Sequence, residues 1–203
     1  MGDFGRCFSI HRNAVGAYAG NANMNAKKFV GTAISKWITT SLTKLHDTFA
    51  GAEGMNADLS GWRVGKVKTL QATFARAYKF AGTGLSSWDT ASVITLRETF
   101  SSAGEMNADL SKWKVGKVGS LEKTFVSASK FTGTGLASWD ITKVADMTNT
   151  FLSATSISSC NKRLIADAWK SNTFFVATTY DTDWATDTCV GLQLTDAQFK
   201  QVR

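Results

Sequence analysis

The side chains able to do chemistry are few and widely spaced. His11 and His46 are the two histidines. No GxSxG elbow accompanies either, so triad chemistry lacks its base-and-nucleophile pair. Cys7, Cys160 and Cys189 are odd in number and show no CxxC or Cys/His ligand spacing, which argues against zinc. A Cys160–Cys189 bridge in an oxidising compartment and three free or buried thiols stand as alternatives. The GTG triplets at 82–84 and 133–135 look like pieces of a phosphate loop, but they lack the GKT or GKS ending and read as turns. Asp58 and Asp109 could each offer calcium a single carboxylate, which makes a weak site, so helix or turn capping is the expected role. The reading is therefore no enzyme: no catalytic residue, no metal ligand and no cofactor.

What organises the chain is a repeat. Trp37, Trp62, Trp88, Trp113 and Trp139 recur at spacings of 25 and 26 residues, and Phe49, Phe74, Phe100, Phe125 and Phe151 each follow twelve residues later. Such a period marks units that bury their apolar faces only against their neighbours. Five copies span 27–52, 53–77, 78–103, 104–128 and 129–154. Val67, Leu70, Phe74 and Ala77, and their counterparts, follow the stripe of a short amphipathic helix. The segment around 59–64 alternates apolar and polar residues, as a short strand does. The expected fold is an α/β, leucine-rich-repeat-like solenoid of five rungs, each a short strand plus a short helix, with terminal caps. The ten aromatic residues are its expected structural core.

The copies alternate in type. Even ones read MNADLSGWRVGKV and MNADLSKWKVGKV, odd ones KFAGTGLSSWDTASV and KFTGTGLASWDITKV, so the true period is a pair. The residue after each Trp from the second copy onward is Arg63, Asp89, Lys114 and Asp140. Stacked in register, these predict a charge ladder of cross-rung ion pairs, each contributing about 0.2–1 kcal/mol and mainly fixing register. Thr48, Thr73, Thr99, Thr124 and Thr150 precede the Phe residues. They are read as lying on the helical side, bonding back along the helix or facing water, too sparse for an ice-binding array.

Residues 1–26 read as an N-terminal cap or degenerate repeat, 27–154 as the five-repeat array, and 155–203 as a C-terminal cap region. Within the last, a helical stripe runs through Cys160, Leu164, Ile165 and Trp169, and a capping box at Thr195 and Gln198 starts a further helix. Most of the net charge of +7 falls in residues 27–77, a basic front half suited to an acidic partner. Lys and Arg are dispersed rather than clustered with exposed aromatics, so nucleic acid is not expected. No run is long enough for a transmembrane segment, and no signal peptide is visible.

The skeletons N-x-D-L-S-x-W and V-x-x-L-x-x-x-F-x-x-A resemble the repeat of the BspA-type leucine-rich-repeat surface proteins, and the CNKRLIADAW segment is similar to the tail that closes such arrays. The resemblance covers 27–154. It implies a non-catalytic module for protein–protein interaction or adhesion at the cell surface or in secreted form. The alternative function is a structural or scaffolding subunit built into a larger multiprotein assembly.

Overall fold

The structure, a computed structural model, describes residues 27–32 and 34–189. The expected leading repeat at 1–26 and the helix from Thr195 lie outside the described residues.

A chain without proline carries an N–H on every backbone unit, and each needs an acceptor once it leaves water. In the second copy these groups alternate between two solutions. Thr73, Ala75 and Ala77 donate back to the carbonyls of Leu70, Ala72 and Phe74 at 3.0–3.2 Å, closing overlapping turns. Leu70, Ala72, Phe74 and Arg76 donate forward to Thr95, Arg97, Thr99 and Ser101 of the following copy at 2.7–3.3 Å. The first, third and fourth copies repeat the scheme. Each copy is thus one coil of chain laid on the next in parallel, half of its bonds local and half between coils.

This corrects the expected fold class. Among the described residues there is no strand and no sheet, only the single parallel bridges Lys44–Thr69, Thr69–Thr95, Thr95–Ser120 and Ser120–Asp146. The α-helices of the described residues are α1 (Ser159–Trp169), α2 (Thr173–Val176) and α3 (Thr179–Ala185), all after the repeats. The α/β solenoid of strand-plus-helix rungs is not formed. Its helices fail because two residues per coil sit in the left-handed region: Ala72 and Arg76 at φ +49° and +58°, Lys123 and Ser127 at +51° and +54°, with counterparts in the other copies. A right-handed helix cannot pass through such residues. Overlapping turns place Leu70, Phe74 and Ala77 inward just as a helix would, so the apolar spacing cannot tell the two apart.

A non-glycine residue pays for its left-handed backbone with about 1–2 kcal/mol. Gly51, at φ +72°, holds the place that Ser127 holds three coils later. Ser127 is exposed, so Ser127→Gly is expected to raise stability by about 0.5–1 kcal/mol after the loss of unfolded-state restriction. The check is a higher urea midpoint at unchanged slope.

Two aromatic columns fill the interior. Trp37, Trp62, Trp88, Trp113 and Trp139 stack face to face at 6.2–6.4 Å, and Trp169 of α1 adds a sixth member at 6.4 Å. Phe49, Phe74, Phe100, Phe125 and Phe151 form the second column at 5.6–5.7 Å. All are buried except Trp37, which is partly exposed. The indole N–H groups of Trp62, Trp88, Trp113, Trp139 and Trp169 donate to a carbonyl of the coil before, at 2.8–3.2 Å. Each ring therefore adds a directional bond to its apolar area.

The threonine column lies inside as well. Thr73, Thr99, Thr124 and Thr150 are fully buried. Each hydroxyl lies 2.7–2.8 Å from the carbonyl three residues back and 2.8–3.0 Å from a carbonyl of the preceding coil. A hydroxyl that stitches neighbouring coils replaces the expected helix-surface role.

After residue 154 the chain turns across the last coil. The Ser158 hydroxyl accepts from Asn161 N and starts α1. Asn172 is buried, and its amide donates to Ile141 O and Val144 O of the last coil at 2.8 and 3.0 Å. Its carbonyl accepts from Phe174 N and Phe175 N at the start of α2. One side chain thus satisfies the end of the array and the start of a helix. Cys160 and Cys189 form a disulfide, and Arg163 bonds both Asp167 and the carbonyl of Ala185, which holds α1 against α3.

Candidate interaction surface

With both columns inside, chemistry is left to the outer faces. Arg63, Asp89, Lys114 and Asp140 do line up on one of them, but the expected ion-pair ladder does not form: none appears among the ion pairs of the described residues. Aspartate is short, and each of these carboxylates is taken locally. Asp89 Oδ1 accepts from Ala91 N at 3.3 Å, and Asp140 Oδ1 accepts from Thr142 N and its hydroxyl at 3.1 and 2.7 Å. Both carboxylates lie over a glycine of the coil before: a Cβ on Gly65 would come within 3.2 Å of Asp89 Oδ2, and one on Gly116 within 3.0 Å of Asp140 Oδ2. The cations are fixed by their backbones, since Arg63 N and Lys114 N donate to the hydroxyls of Thr39 and Thr90 at 2.6 and 2.7 Å.

An alternating charge row exists elsewhere, at the start of each copy: Lys27, Glu53, Lys79, Glu105 and Lys130. Lys27 Nζ meets Glu53 at 3.3 Å and Lys130 Nζ meets Glu105 at 2.5 Å. The Lys130 bond, with help from Lys79, holds the Glu105 carboxyl below its ordinary range. The same alignment that suggested the first ladder contains this one. The signal was in the sequence, eight to ten residues before each Trp. A second cluster on the turn side joins Arg97 to Glu122 at 3.2 Å and Glu122 to Lys123 at 3.2 Å. All these pairs are at least partly solvated, so they specify register more than they stabilise.

Asp58 and Asp109 cap turns. Their Oδ1 atoms accept from Ser60 N and Ser111 N, each at 2.8 Å. These backbone bonds hold both carboxyls below the usual aspartate range, and the Thr142 hydroxyl does the same for Asp140. Carboxyls depressed in the folded state contribute stability above their unfolded pKa and lose it as pH falls through the folded one. Replacing Asp58, Asp109 and Asp140 together by Asn keeps an acceptor but removes the titration. That variant is expected to lose less stability than the parent between about pH 5 and pH 2, read from urea midpoints against pH.

Among the described residues no group of three or more His, Cys, Asp or Glu side chains converges on one point, and no helix is long and apolar enough to cross a membrane. Exposed apolar side chains such as Ile38, Ile94 and Leu152 are scattered along the array. Two concave features lie where the last coil meets the cap. A cavity of about 360 Å³ runs between Trp139–Ala145 and Ser171–Phe174, and one of about 400 Å³ between Ala145–Asn149 and Ala177–Tyr180. The half-exposed ring of Phe174 borders both.

The sequence model of a family described as "Mycoplasma protein of unknown function, DUF285" matches residues 20–84 and 69–169. No curated protein and no solved structure matches the chain.

Proposed function

The chain belongs to this DUF285 family, a BspA-like repeat family, and from that premise we propose that it is a non-catalytic module for protein–protein contact or adhesion. The observation that carries the reading is the division of labour in each coil. Aromatic rings and threonine hydroxyls occupy the interior, while charged residues recur outside at a fixed interval, coil after coil. A stiff array of repeated surface groups is suited to engaging another macromolecule along its length.

The finer kinship, with BspA-type leucine-rich-repeat surface proteins, belongs to the same proposal. The Cys160–Cys189 disulfide supports an oxidising setting such as the cell surface or the secreted state. The partner is a protein, acidic where it meets the basic first two copies. Nucleic acid fits poorly, because lysines on the outer row alternate with glutamates.

A second reading, a scaffolding subunit of a larger assembly, is favoured by Phe174 and Val176, whose apolar side chains stand 49% and 47% exposed on α2. Size-exclusion and native-mass analysis of protein purified from its source separates the two. A stable monomer is expected for the contact module; obligate co-purification with one complex supports the subunit. Since Arg63 and Lys114 make no ion pair, reversing both charges is expected to weaken partner binding at unchanged stability. Unchanged binding would move the contact surface to another face.

A further inference from the structure

In every coil but the last, the N–H groups of alternate turn residues are consumed by the coil that follows. The last coil has no successor, and the cap replaces one only in part. Trp169 continues the tryptophan column, Asn172 takes the carbonyls of Ile141 and Val144, and the Tyr180 hydroxyl accepts from Phe151 N at 3.3 Å. Between these points the edge stays open. Met147 N and Asn149 N correspond to Leu121 N and Lys123 N, which donate to Asp146 O and Thr148 O one coil earlier, yet among the described residues both lack an acceptor. The carbonyl of Ala145 corresponds to that of Gly119, which accepts from Ala145 N, and it lacks a donor among the described residues. Acceptor, donor, donor is the pattern that one more parallel chain segment satisfies. The residues that carry these three groups line the cavity of about 400 Å³ whose far wall is Phe174 and the 177–180 segment.

Charge narrows the occupant. The bridge column through the array is Lys44, Thr69, Thr95, Ser120 and Asp146. Asp146, at its open end, keeps one oxygen on Thr148 N at 3.0 Å and the other on the Ser120 hydroxyl at 3.3 Å. A segment continuing the column sets its own side chain directly over this carboxylate, where a cation is favoured and an acid is repelled.

We infer that the open edge at Ala145–Asn149 is a docking groove for an extended segment of a partner protein, added in parallel and carrying a lysine or arginine over Asp146. The inference deepens the contact-module reading and rests on it. In this register the partner residue before the cation donates its N–H to Ala145 O. The cation's own carbonyl accepts from Met147 N, and the carbonyl two residues later accepts from Asn149 N.

The probe is the capped peptide acetyl-Leu-Thr-Lys-Leu-His-amide. It copies residues 42–46 and so places a lysine at the bridge position. Titrated into the whole chain, it is expected to give saturable amide shifts at Met147 and Asn149 in ¹⁵N NMR spectra. Replacing its lysine by aspartate should weaken binding at least tenfold, and N-methylation of its threonine should weaken it at least tenfold by removing the bond to Ala145 O. Asp146→Lys protein should prefer the aspartate peptide. Asp146→Asn, which keeps the local acceptor and so guards against misfolding, should bind the lysine and aspartate peptides equally. No saturable shift, or equal binding of the N-methylated peptide, overturns the groove. A natural partner that still binds the Asp146→Lys protein and is not displaced by the peptide would remove this site while leaving the contact-module reading intact.

Discussion

Gly84→Ala is expected to lower stability by roughly 3–5 kcal/mol, a large loss for a single added methyl group. Gly84 opens the 3-10 turn Leu85–Ser87 at φ +91°. An alanine there would accept a left-handed backbone, and its Cβ would lie 2.1 Å from Ser60 N and 2.5 Å from Leu59 C of the coil before. Those are backbone atoms and cannot swing aside. The coils would have to part, and with them the bonds from Leu59 N to Thr83 O at 3.1 Å and from the Trp88 indole to Leu59 O at 3.2 Å. A Cβ on Gly135 would run into Ser111 N in the same way, and Gly135→Ala is expected to behave alike. Gly119→Ala is the control, because its nearest non-local atom is Ile94 O at 3.9 Å, and it should change stability by less than about 0.5 kcal/mol. Urea unfolding of the three variants measures the contrast. A Gly84→Ala protein within 1 kcal/mol of the Gly119→Ala control would mean that the coils are not in contact there.

Trp113→Ala is the other large effect, expected at about 3–5 kcal/mol. The ring is buried between Trp88 and Trp139, each 6.3 Å away, and its N–H is the partner of Leu85 O at 2.8 Å. Removal leaves a cavity and a buried carbonyl without its donor. Because each coil touches only its neighbours, the damage also weakens the coupling between the two halves of the array. The expected signature is a broadened urea transition with a reduced apparent slope as well as a lower midpoint. Trp113→Phe, which keeps most of the stacking area but not the N–H, should fall between parent and alanine. Trp37→Ala, at the partly exposed end of the column, should cost less than half as much.

Aromatic periodicity was legible in the chain because only a stacked interior requires Trp and Phe at one interval over five copies. Secondary structure was not. The spacing of Val67, Leu70, Phe74 and Ala77 fits both a helix and a run of turns, and the residues that decide between them are Ala72, Arg76, Glu98 and Lys123 at positive φ. None has a side chain that advertises a left-handed backbone, so propensity points the wrong way. The overt signs were Gly51, standing where the later copies carry Arg76, Ser102 and Ser127, and Asp47 and Asn149, standing where the middle copies carry Ala72, Glu98 and Lys123.

The charge ladder failed for a different reason. Alternation in sequence is necessary for pairing but says nothing about reach. Asp89 and Asp140 are too short to leave their own turns, whereas Lys27, Glu53, Glu105 and Lys130 have the length to meet. The open edge at Ala145–Asn149 had no sequence signature, because it depends on how far the cap extends over the last coil. Only Asp146, an acid closing a column of hydroxyls, hinted that this coil differs from the rest.

Trp169 bonds to the last odd copy as Trp62, Trp88, Trp113 and Trp139 bond to the coil before them. The capping helix therefore registers the kind of coil beneath it and is blind to how many there are. Splicing in another pair of copies, one of each type, would present the same terminus to the same helix. Each such insertion lengthens the molecule by about 10 Å. Span can change in discrete steps at no cost to the ends, so a lineage of these chains has a simple means of adjusting how far it reaches.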